Sequence, residues 1–376
     1  NIFIVHISLK MIIITKTQEL IDFCKKCSAY EYVTLDTEFL RERTYYSKLC
    51  LVQMAHPGNT EDSAVLIDPL SPDLSLDPLY ELFKNPNVVK VFHAARQDLE
   101  IFFIDKKIIP FPFFDTQVAA MVCGFGEQVG YEKLVRSICN EGLDKSSRFT
   151  DWSARPLSNK QMHYAIGDVT YLREIYEFLS NKIKDNKRQA WVEEELKILM
   201  DPETYIIDPK YAWRRVKTRS SSWKMLAAIA ELAMFREKYA QQKNIPRNRV
   251  YKDDCMMELA ATRPKSLEDL TKSRLLLRDA RKGQIAEGIL NSIRQADKYK
   301  SNDVERQTPQ KEKAQGKEGL SELLRVLLKA KAEEFGVAAK LIATSADLDQ
   351  IAGGEKDLNV FKGWRNEVFG KDAMRL

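Results

Sequence analysis

A chain of 376 residues is long enough for two or three domains that each bury a core. It is 44% hydrophobic and 30% charged, as globular proteins are, and no apolar run reaches the roughly 18 residues that a membrane helix needs, so we expect no membrane partner. The net charge of +5 is unevenly spread, because residues 209–300 carry a net charge of +12 and the rest of the chain carries −7. A strongly basic segment beside acidic parts indicates a polyanionic partner.

The start of the chain and its cysteines bear on the compartment. Residues 1–10, before Met11, are interpreted as an upstream extension or a cloning remnant and are left out of the fold prediction. Six scattered cysteines indicate reduced thiols rather than a disulfide framework, so we expect a cytoplasmic protein. Cys24 and Cys27 form a CxxC pair without a second pair, which favours a coincidence on a helix face over a zinc or redox site.

Strand-like and helix-like stretches alternate over residues 11–185. "MIIIT" reads as a strand and "TQELIDFCKKCSAY" as a helix, and three strands follow in "YVTLDTEF", "KLCLVQMA" and "AVLIDP". After the helix "LDPLYELFKN", the stretch "NVVKVFHAARQDLEIFF" reads as a strand passing into a helix, and Asp115 is placed as the N-cap of the next helix. The pattern predicts an α/β domain with a mixed central sheet.

Strand signals end near residue 186, and the remaining stretches are helical or polar. Residues 209–298 read as amphipathic helices, and the polar stretch "YKSNDVERQTPQKEKAQGKEG" reads as a linker. The predicted organisation is an α/β domain over residues 11–185, a connector helix over 186–208, a basic helical domain over 209–298, a linker over 299–317 and a second helical domain over 318–376.

Four acidic residues stand out in the α/β domain. Asp36 and Glu38 are two apart on a predicted strand, so their side chains share one face, and burying both is costly without a positive partner. Asp98 falls early in a helix that follows a strand, and Asp168 falls on a later helix. We refer to these four as the carboxylate cluster.

Oxygen ligands of this kind favour Mg²⁺ or Mn²⁺ over zinc, and four carboxylates can hold two such ions about 3.5–4 Å apart. Tyr164 lies four residues before Asp168 on the same helix face and could orient an attacking water. Taken alone, a D-x-E strand pattern is more often a solvated edge and an early-helix aspartate is often only a favourable dipole contact. The ordered set on suitable elements favours two-metal phosphodiester hydrolysis.

Three segments that carry these residues, "LDTEF", "FHAARQDLEIF" and "YAIGDVTYL", resemble the exonuclease motifs of the DEDD superfamily in their order. "RERTYYSKLCLVQMA", "FFDTQVAA" and "DWSARPLSNKQ" resemble the bacterial ribonuclease D family, and the basic region resembles the HRDC module. The resemblance implies an α/β ribonuclease H-like exonuclease domain with a mixed sheet, followed by two small all-α, HRDC-like domains.

The same resemblance implies the activity and its residues. It implies a 3′–5′ exoribonuclease that releases 5′-mononucleotides and matures tRNA precursors and other small structured RNAs. The carboxylate cluster would bind the two metal ions, and Tyr164 would position the water. A sister branch of the superfamily uses a histidine five residues before the last aspartate, and His163 stands there. The ribonuclease D-like surroundings favour Tyr164, which leaves His163 a structural role.

Several residues are candidates for substrate contacts. Phe39 and Leu40 could wedge against the terminal base or ribose, and Gln53 could face the same groove. Trp152 could stack on a base or pack in the core, and Arg155 could meet a phosphate or pair with Asp151. In the basic segment, the cationic cluster near Trp213 and Trp223 could contact an RNA backbone or form a solvated helix face; it includes Arg214, Arg215, Lys217 and Arg219.

Two other functions use the same sequence features. A 3′–5′ exonuclease acting on DNA needs the same carboxylates, so only a comparison of RNA with DNA substrates separates it. A non-catalytic RNA-binding protein with a decayed nuclease domain is disfavoured by the complete acidic set with Tyr164. A chain that carries its own binding domains needs no partner subunit, so we expect a monomer.

Overall fold

The computed structural model describes residues 11–144, 146–220, 222–304 and 317–376. The predicted extension at residues 1–10 and residues 305–316 of the predicted linker lie outside this part of the chain. The described residues form two compact units, one comprising residues 11–39, 49–204 and 317–376 and the other residues 40–48 and 205–304. No helix in the described ranges combines the length and the apolar character needed to cross a bilayer.

A six-stranded mixed sheet forms the centre of the first unit, in the order β1-β4-β3-β2-β5-β6. The strands are β1 Ile12–Ile14, β2 Tyr32–Leu40, β3 Lys48–Ala55, β4 Ala64–Ile67, β5 Val89–Phe92 and β6 Phe113–Asp115. β1 runs parallel to β4, β5 runs parallel to both β2 and β6, and β3 pairs antiparallel with β4. The predicted α/β class with a mixed sheet, followed by helical domains, is confirmed.

Helices flank the sheet and make up the rest of the chain. In the α/β part they are α1 Thr17–Cys27, α2 Asp77–Lys84, α3 Arg96–Lys106, α4 Thr116–Val122, α5 Tyr131–Leu134, α6 Asn159–Asp185 and α7 Gln189–Met200. In the middle segment they are α8 Trp223–Lys243, α9 Arg247–Val250, α10 Asp253–Thr262, α11 Leu267–Thr271 and α12 Gly283–Ala296. In the last segment they are α13 Glu318–Phe335, α14 Ala339–Ile342, α15 Ser345–Ala352, α16 Gly363–Arg365 and α17 Lys371–Ala373.

Short 3₁₀ and π segments link these helices. The 3₁₀ segments are Pro202–Thr204, Pro209–Arg215, Arg278–Arg281, Ser301–Asp303 and Asn359–Phe361. The π segments are Val135–Cys139 and Asn366–Gly370.

A fully buried lysine supports the strand that leads to α3. Lys90 of β5 is 0% exposed, and its Nζ donates hydrogen bonds to the carbonyl oxygens of Asn85 at 2.8 Å, Val88 at 2.7 Å and Phe111 at 2.5 Å. Burial lowers the pKa of Lys90 to about 8. The three bonds use all donors of the ammonium group and offset the cost of its burial.

Replacing Lys90 with methionine should lower the free energy of unfolding by about 2–4 kcal/mol, because three buried carbonyl groups lose their donor. Urea unfolding of the wild-type and Lys90→Met proteins measures this as a lower midpoint concentration. Lys84→Met is a suitable control, since Lys84 is exposed and pairs with Glu81 of its own helix. Equal or higher stability of Lys90→Met would show that the hydrogen bonds do not offset the burial of the ammonium group.

The last helical segment packs in the same unit as the sheet. The amide of Ala338 donates to the carbonyl oxygen of Met121 at 2.9 Å, and the ring of Trp191 stacks on that of Trp364 with centroids 4.4 Å apart. The guanidinium of Arg365 forms ion pairs with Glu194 and Glu195 on α7. Helix α7, predicted as a connector, therefore carries the contacts of the last segment.

The second unit has its own helical core, and the segment of residues 40–48, between β2 and β3 in the chain, belongs to it. The backbone amides of Tyr45 and Tyr46 donate to Asn244 Oδ1 at 3.1 and 3.0 Å. The Tyr45 hydroxyl donates to Glu237, whose carboxylate also pairs with Arg247 at 2.5 Å. These polar contacts, of which the Tyr45–Glu237 bond is buried, fix the segment within the helical unit.

Candidate active site

One face of β2 carries two members of the carboxylate cluster. Thr34, Asp36 and Glu38 alternate along the strand and therefore point the same way. The Thr34 hydroxyl donates to the carbonyl oxygen of Val169 in α6 at 2.7 Å. This bond holds α6 against the face that bears Asp36 and Glu38, and it brings the neighbouring Asp168 to the same place.

The third carboxylate, Asp98, lies in the first turn of α3 and is 6% exposed. The helix begins after Ala94, whose φ of 58° is in the left-handed region. The carboxylate of Asp115 accepts hydrogen bonds from the amides of Ala94 at 3.1 Å and Ala95 at 2.9 Å, and it also caps α4 as predicted. Asp98 in turn accepts a hydrogen bond from the hydroxyl of Thr37 on β2.

Helix α6 supplies Asp168 and Tyr164. Its N-terminus is closed by a capping box in which Ser158 Oγ accepts from the amide of Gln161 at 3.3 Å. Asp168 is 9% exposed, and Tyr164 lies one turn earlier on the same helix. His163 is exposed, and its Nδ1 lies 2.7 Å from the carbonyl oxygen of Asn159. The chain therefore turns the tyrosine, not the histidine, toward Asp168 and β2.

The carboxylate cluster is electrostatically unfavourable without a cation. Burial, followed by the charges of the other three members, raises the pKa of Asp36 well above its ordinary value. Burial, followed by the charges of Asp168 and Asp98, raises the pKa of Glu38 to about 9, and burial raises the pKa of Asp98 and of Asp168 to about 7. Burial and the neighbouring carboxylates also raise the pKa of Tyr164, so its hydroxyl keeps its proton at neutral pH.

The donor set suits a hard divalent ion. It consists of buried carboxylate oxygens whose charges act on one another, and the charge of Arg148 does not offset the effects that raise the pKa of Glu38. Such oxygens bind Mg²⁺ or Mn²⁺. Across residues 11–144, 146–220, 222–304 and 317–376, no three Asp, Glu, His or Cys side chains already stand in a metal-coordinating arrangement. One oxygen of the Asp98 carboxylate, Oδ1, accepts the hydrogen bond from the Thr37 hydroxyl.

A cavity of about 370 Å³ opens beside these residues, within the size range of ligand sites. Asp36, Tyr164 and Asp168 line one part of it, and Arg148 also lines its wall. His93, Tyr131 and other side chains of the α3 to α5 region line the rest. The Tyr131 hydroxyl donates to the carbonyl oxygen of Gly167 at 2.9 Å, which fixes this wall to α6.

Three of the predicted substrate-contact residues in the first unit are buried or bonded within the protein. Gln53 is 0% exposed, and within the described part of the chain its amide has no hydrogen-bond partner. Trp152 is 2% exposed and lies with its ring centroid 6.0 Å from that of Tyr164, which matches the core-packing alternative. Arg155 pairs with Asp68 at 2.6 Å, and its guanidinium also donates to the carbonyl oxygen of Cys50 at 2.7 Å. Phe39, near the end of β2, is half-buried.

In the second unit, Leu40 is half-buried, and Arg214 and Arg215 are exposed at the end of a 3₁₀ segment. The guanidinium of Arg214 lies 4.4 Å from the ring centroid of Tyr211. Trp213 is buried in the helical core. Its ring therefore packs within the protein next to the arginines and is not available to stack on a base.

Sequence reasoning did not single out Arg148, Thr37 or Tyr131. Arg148 stands four residues before Trp152 in the loop that leads to α6, where a charged residue gives no sign of facing a cavity. A threonine between two acidic residues on a strand gives no local sign that its hydroxyl bonds a distant aspartate, as that of Thr37 does. The sequence signal that could have pointed to this loop is the cationic and aromatic pair Arg148–Phe149, which stands shortly before the last exonuclease motif.

Comparison with known proteins decides the family. Residues 11–184 match the 3′–5′ exonuclease family, and residues 225–293 match the HRDC domain family. Ribonuclease D of Jannaschia sp. (strain CCS1) is 59% identical over 363 residues, which are 96% of this chain and 94% of that protein. The chain belongs to the ribonuclease D family. Ribonuclease D of Granulibacter bethesdensis is 44% identical and is covered over 92% of its length.

The structural comparison agrees with this family. The crystal structure of Escherichia coli RNase D, an exoribonuclease involved in structured RNA processing, matches with a TM-score of 0.83 and 26% identity, covering 97% of this chain and 98% of that one. The predicted resemblance and enzyme class are thus confirmed: the chain is a 3′–5′ exoribonuclease of the ribonuclease D type. Enzymes of this family depend on divalent metal ions and act on RNA.

Proposed function

We propose that the carboxylate cluster holds two divalent ions, Mg²⁺ or Mn²⁺, and that the enzyme trims the 3′ ends of tRNA precursors and other small structured RNAs. The observation that carries the proposal is the convergence of four acidic residues from three separate segments, whose charges act on one another. Two of them, Asp36 and Asp168, line one cavity together with Tyr164. Burial raises the pKa of all four carboxyl groups, and the charges of other cluster members raise those of Asp36 and Glu38 further. A bound cation would relieve both effects.

When bound, the two ions would activate water and neutralise the charge that develops on the leaving oxygen. The protein's own part is to place the reactants. Asp36 and Glu38 are held by β2, and Asp98 is held by α3 with Thr37, so the ligands come from rigid elements. The Tyr164 hydroxyl, protonated at neutral pH, would donate a hydrogen bond to the attacking water and orient it toward the phosphorus atom.

Tyr164→Phe should lower kcat by about 10²-fold or more and leave KM nearly unchanged, because the phenyl ring keeps its packing while the water loses one hydrogen-bond donor. Steady-state kinetics on a short RNA measure both constants. His163→Ala is the matched control, since His163 is exposed and should tolerate the change. Loss of activity in His163→Ala with full activity in Tyr164→Phe would assign the water to the histidine and contradict the proposal.

The remaining parts of the chain support binding and location. We propose that the basic helical domain, residues 209–298, contacts the RNA backbone through Arg214 and Arg215, which are exposed. The proposed organisation has four further parts: the exonuclease domain at 11–185, the connector at 186–208, the linker at 299–317 and the second helical domain at 318–376.

All six cysteines are free thiols, which fits a reducing compartment such as the cytoplasm. The enzyme carries its own binding domain and would act as a monomer.

A direct test uses a 5′-labelled tRNA with a short 3′ extension, incubated in Mg²⁺, in Mn²⁺ or in EDTA beside a DNA strand of matching sequence. Stepwise shortening of the tRNA that EDTA abolishes is the expected result. Preferential shortening of the DNA would replace the proposed substrate, and binding of tRNA without any shortening would leave only an RNA-binding function.

A further inference from the structure

A short loop at the cavity carries a cation and an aromatic ring that the proposed chemistry does not yet use. Arg148 lines the cavity together with Asp36, Tyr164 and Asp168. The next residue, Phe149, is 91% exposed, the highest value among the large hydrophobic side chains of the described residues. The inference drawn from this pair rests on the proposed function, because it concerns the strand that the same site would cleave.

The loop is anchored on both sides of the pair. Ser147 is 4% exposed, and its carbonyl oxygen accepts from the Thr150 hydroxyl at 2.8 Å and from the Thr150 amide at 3.3 Å. The Thr150 hydroxyl also accepts from Gln161 Nε2 of α6 at 3.2 Å. Arg148 and Phe149 are therefore presented from a turn that is tied to the helix bearing Tyr164 and Asp168, so presenting them to a ligand costs little ordering.

The charge of Arg148 acts on the site. It lowers the pKa of Glu38, of Tyr164 and of Asp168, which means that the guanidinium lies near these groups. Within the described part of the chain, Arg148 forms no ion pair or hydrogen bond. Once divalent ions neutralise the carboxylates, the partner that remains for the guanidinium is an anionic group held in the cavity, and a phosphate matches its fork of N–H donors.

Phe149 offers the chemistry of a stacking surface. Single exposed apolar residues are common and usually need no explanation. This one follows a cavity-lining arginine, its ring centroid lies 5.3 Å from the Arg148 guanidinium carbon, and it stands on an anchored turn. Every nucleobase has a π-face, so a ring in this position can hold a strand without selecting its sequence.

We propose that Arg148 binds a non-bridging oxygen of the scissile phosphate and that Phe149 stacks on the base on the 5′ side of that phosphate. The cavity then takes the nucleotide that leaves, while the exposed ring holds the nucleotide that becomes the new 3′ end. Arg148 is a catalytic residue in this arrangement, because the negative charge on the phosphate oxygens grows in the transition state. Phe149 determines how firmly the strand end is held.

The test for Arg148 compares wild type with Arg148→Met, Arg148→Lys and the control Arg375→Met, whose arginine is exposed and pairs with Asp372. At saturating Mn²⁺, Arg148→Met should lower kcat by about tenfold to a hundredfold, and Arg148→Lys should recover part of the loss. The melting-temperature shift caused by Mn²⁺ should be unchanged, which reports an intact fold and metal site. A kcat for Arg148→Met equal to that of wild type at saturating Mn²⁺, with a deficit only at lower Mn²⁺, would place the residue at the metal site and overturn the proposal.

The test for Phe149 uses two RNAs that differ only by an abasic residue at the penultimate position. For wild type, the abasic RNA should show a KM about tenfold higher, because stacking on that base is lost. Phe149→Ala should have the higher KM on both RNAs and no longer distinguish them, and Phe111→Ala, which also removes an exposed ring, should behave as wild type. Equal sensitivity of wild type and Phe149→Ala to the abasic residue would overturn the stacking contact.

These outcomes are separable from the proposed function itself. If wild type fails to shorten either RNA in Mg²⁺ or Mn²⁺, the proposed function fails. If wild type shortens both RNAs and the Arg148 and Phe149 variants match it, the function stands and the assignment of the loop is wrong.

Discussion

Replacing Asp36 with asparagine is expected to lower kcat/KM for 3′ trimming by at least about 10³-fold, which corresponds to about 4 kcal/mol of transition-state stabilisation. Asparagine has nearly the same shape, so the strand and its hydrogen bonds remain. The change removes one negative charge from the centre of the carboxylate cluster, where Asp36 interacts with all three other members. Initial rates on a 5′-labelled RNA measure the effect.

The matched control is Asp22→Asn, the same substitution on the exposed face of α1. It should retain full activity. RNA affinity measured in EDTA should be similar for wild type and both variants, because binding through the basic domain does not need the ions. A rate for Asp36→Asn within about tenfold of wild type would contradict a role for Asp36 in holding the catalytic ions.

The same substitution is expected to stabilise the protein when metal is withheld. The pKa of Asp98 and of Asp168 is raised to about 7 and that of Glu38 to about 9, so the folded state binds more protons than the unfolded state above about pH 4. The free energy of unfolding contributed by these groups therefore falls as the pH rises through 7 and toward 9. Asparagine cannot ionise, so the substitution removes one carboxyl group whose ionisation is opposed by burial and by the other cluster members, and this relieves part of the loss.

In EDTA at pH 8, Asp36→Asn should melt on the order of 5 °C above wild type, and the difference should shrink toward pH 5, where the wild-type carboxyl groups are protonated. Addition of millimolar Mn²⁺ at pH 8 should reverse the order, because ions that bind only the folded state raise the melting temperature of wild type. Differential scanning fluorimetry over pH 5–8 measures both. A wild type that is unaffected by Mn²⁺ at pH 8, with no gain for Asp36→Asn in EDTA, would contradict the electrostatic account.

Much of this arrangement could be predicted from the sequence because strong local signals coincide with the site. Short apolar runs predicted the strands, and a D-x-E pair on β2 could only put Asp36 and Glu38 on one face. Asp115 was predicted as an N-cap, and the structure shows that its carboxylate also bonds the amides of Ala94 and Ala95. That second role depends on the contact between β5 and β6, which no local pattern contains.

The substrate contacts were harder to predict, because the type of a residue does not show where its side chain points. Gln53 and Trp152 are polar or aromatic, yet the sheet and the loop before α6 bury them. Arg155 forms its ion pair with Asp68, 87 positions away in the chain, which only the tertiary structure brings close. Arg148 and Arg155 are the same type of residue in the same loop, so the sequence alone does not tell them apart. The fold places Arg148 at the cavity and Arg155 in an ion pair with Asp68.

The most direct test of the central claim is the number of ions that the carboxylate cluster binds. Isothermal titration of the full chain with Mn²⁺ at pH 8, without RNA, is predicted to give two ions per chain for wild type and fewer for Asp36→Asn, with Asp22→Asn equal to wild type. Binding of no Mn²⁺ by wild type, or an unchanged stoichiometry and affinity in Asp36→Asn, would contradict the assignment of these four carboxylates as the metal site.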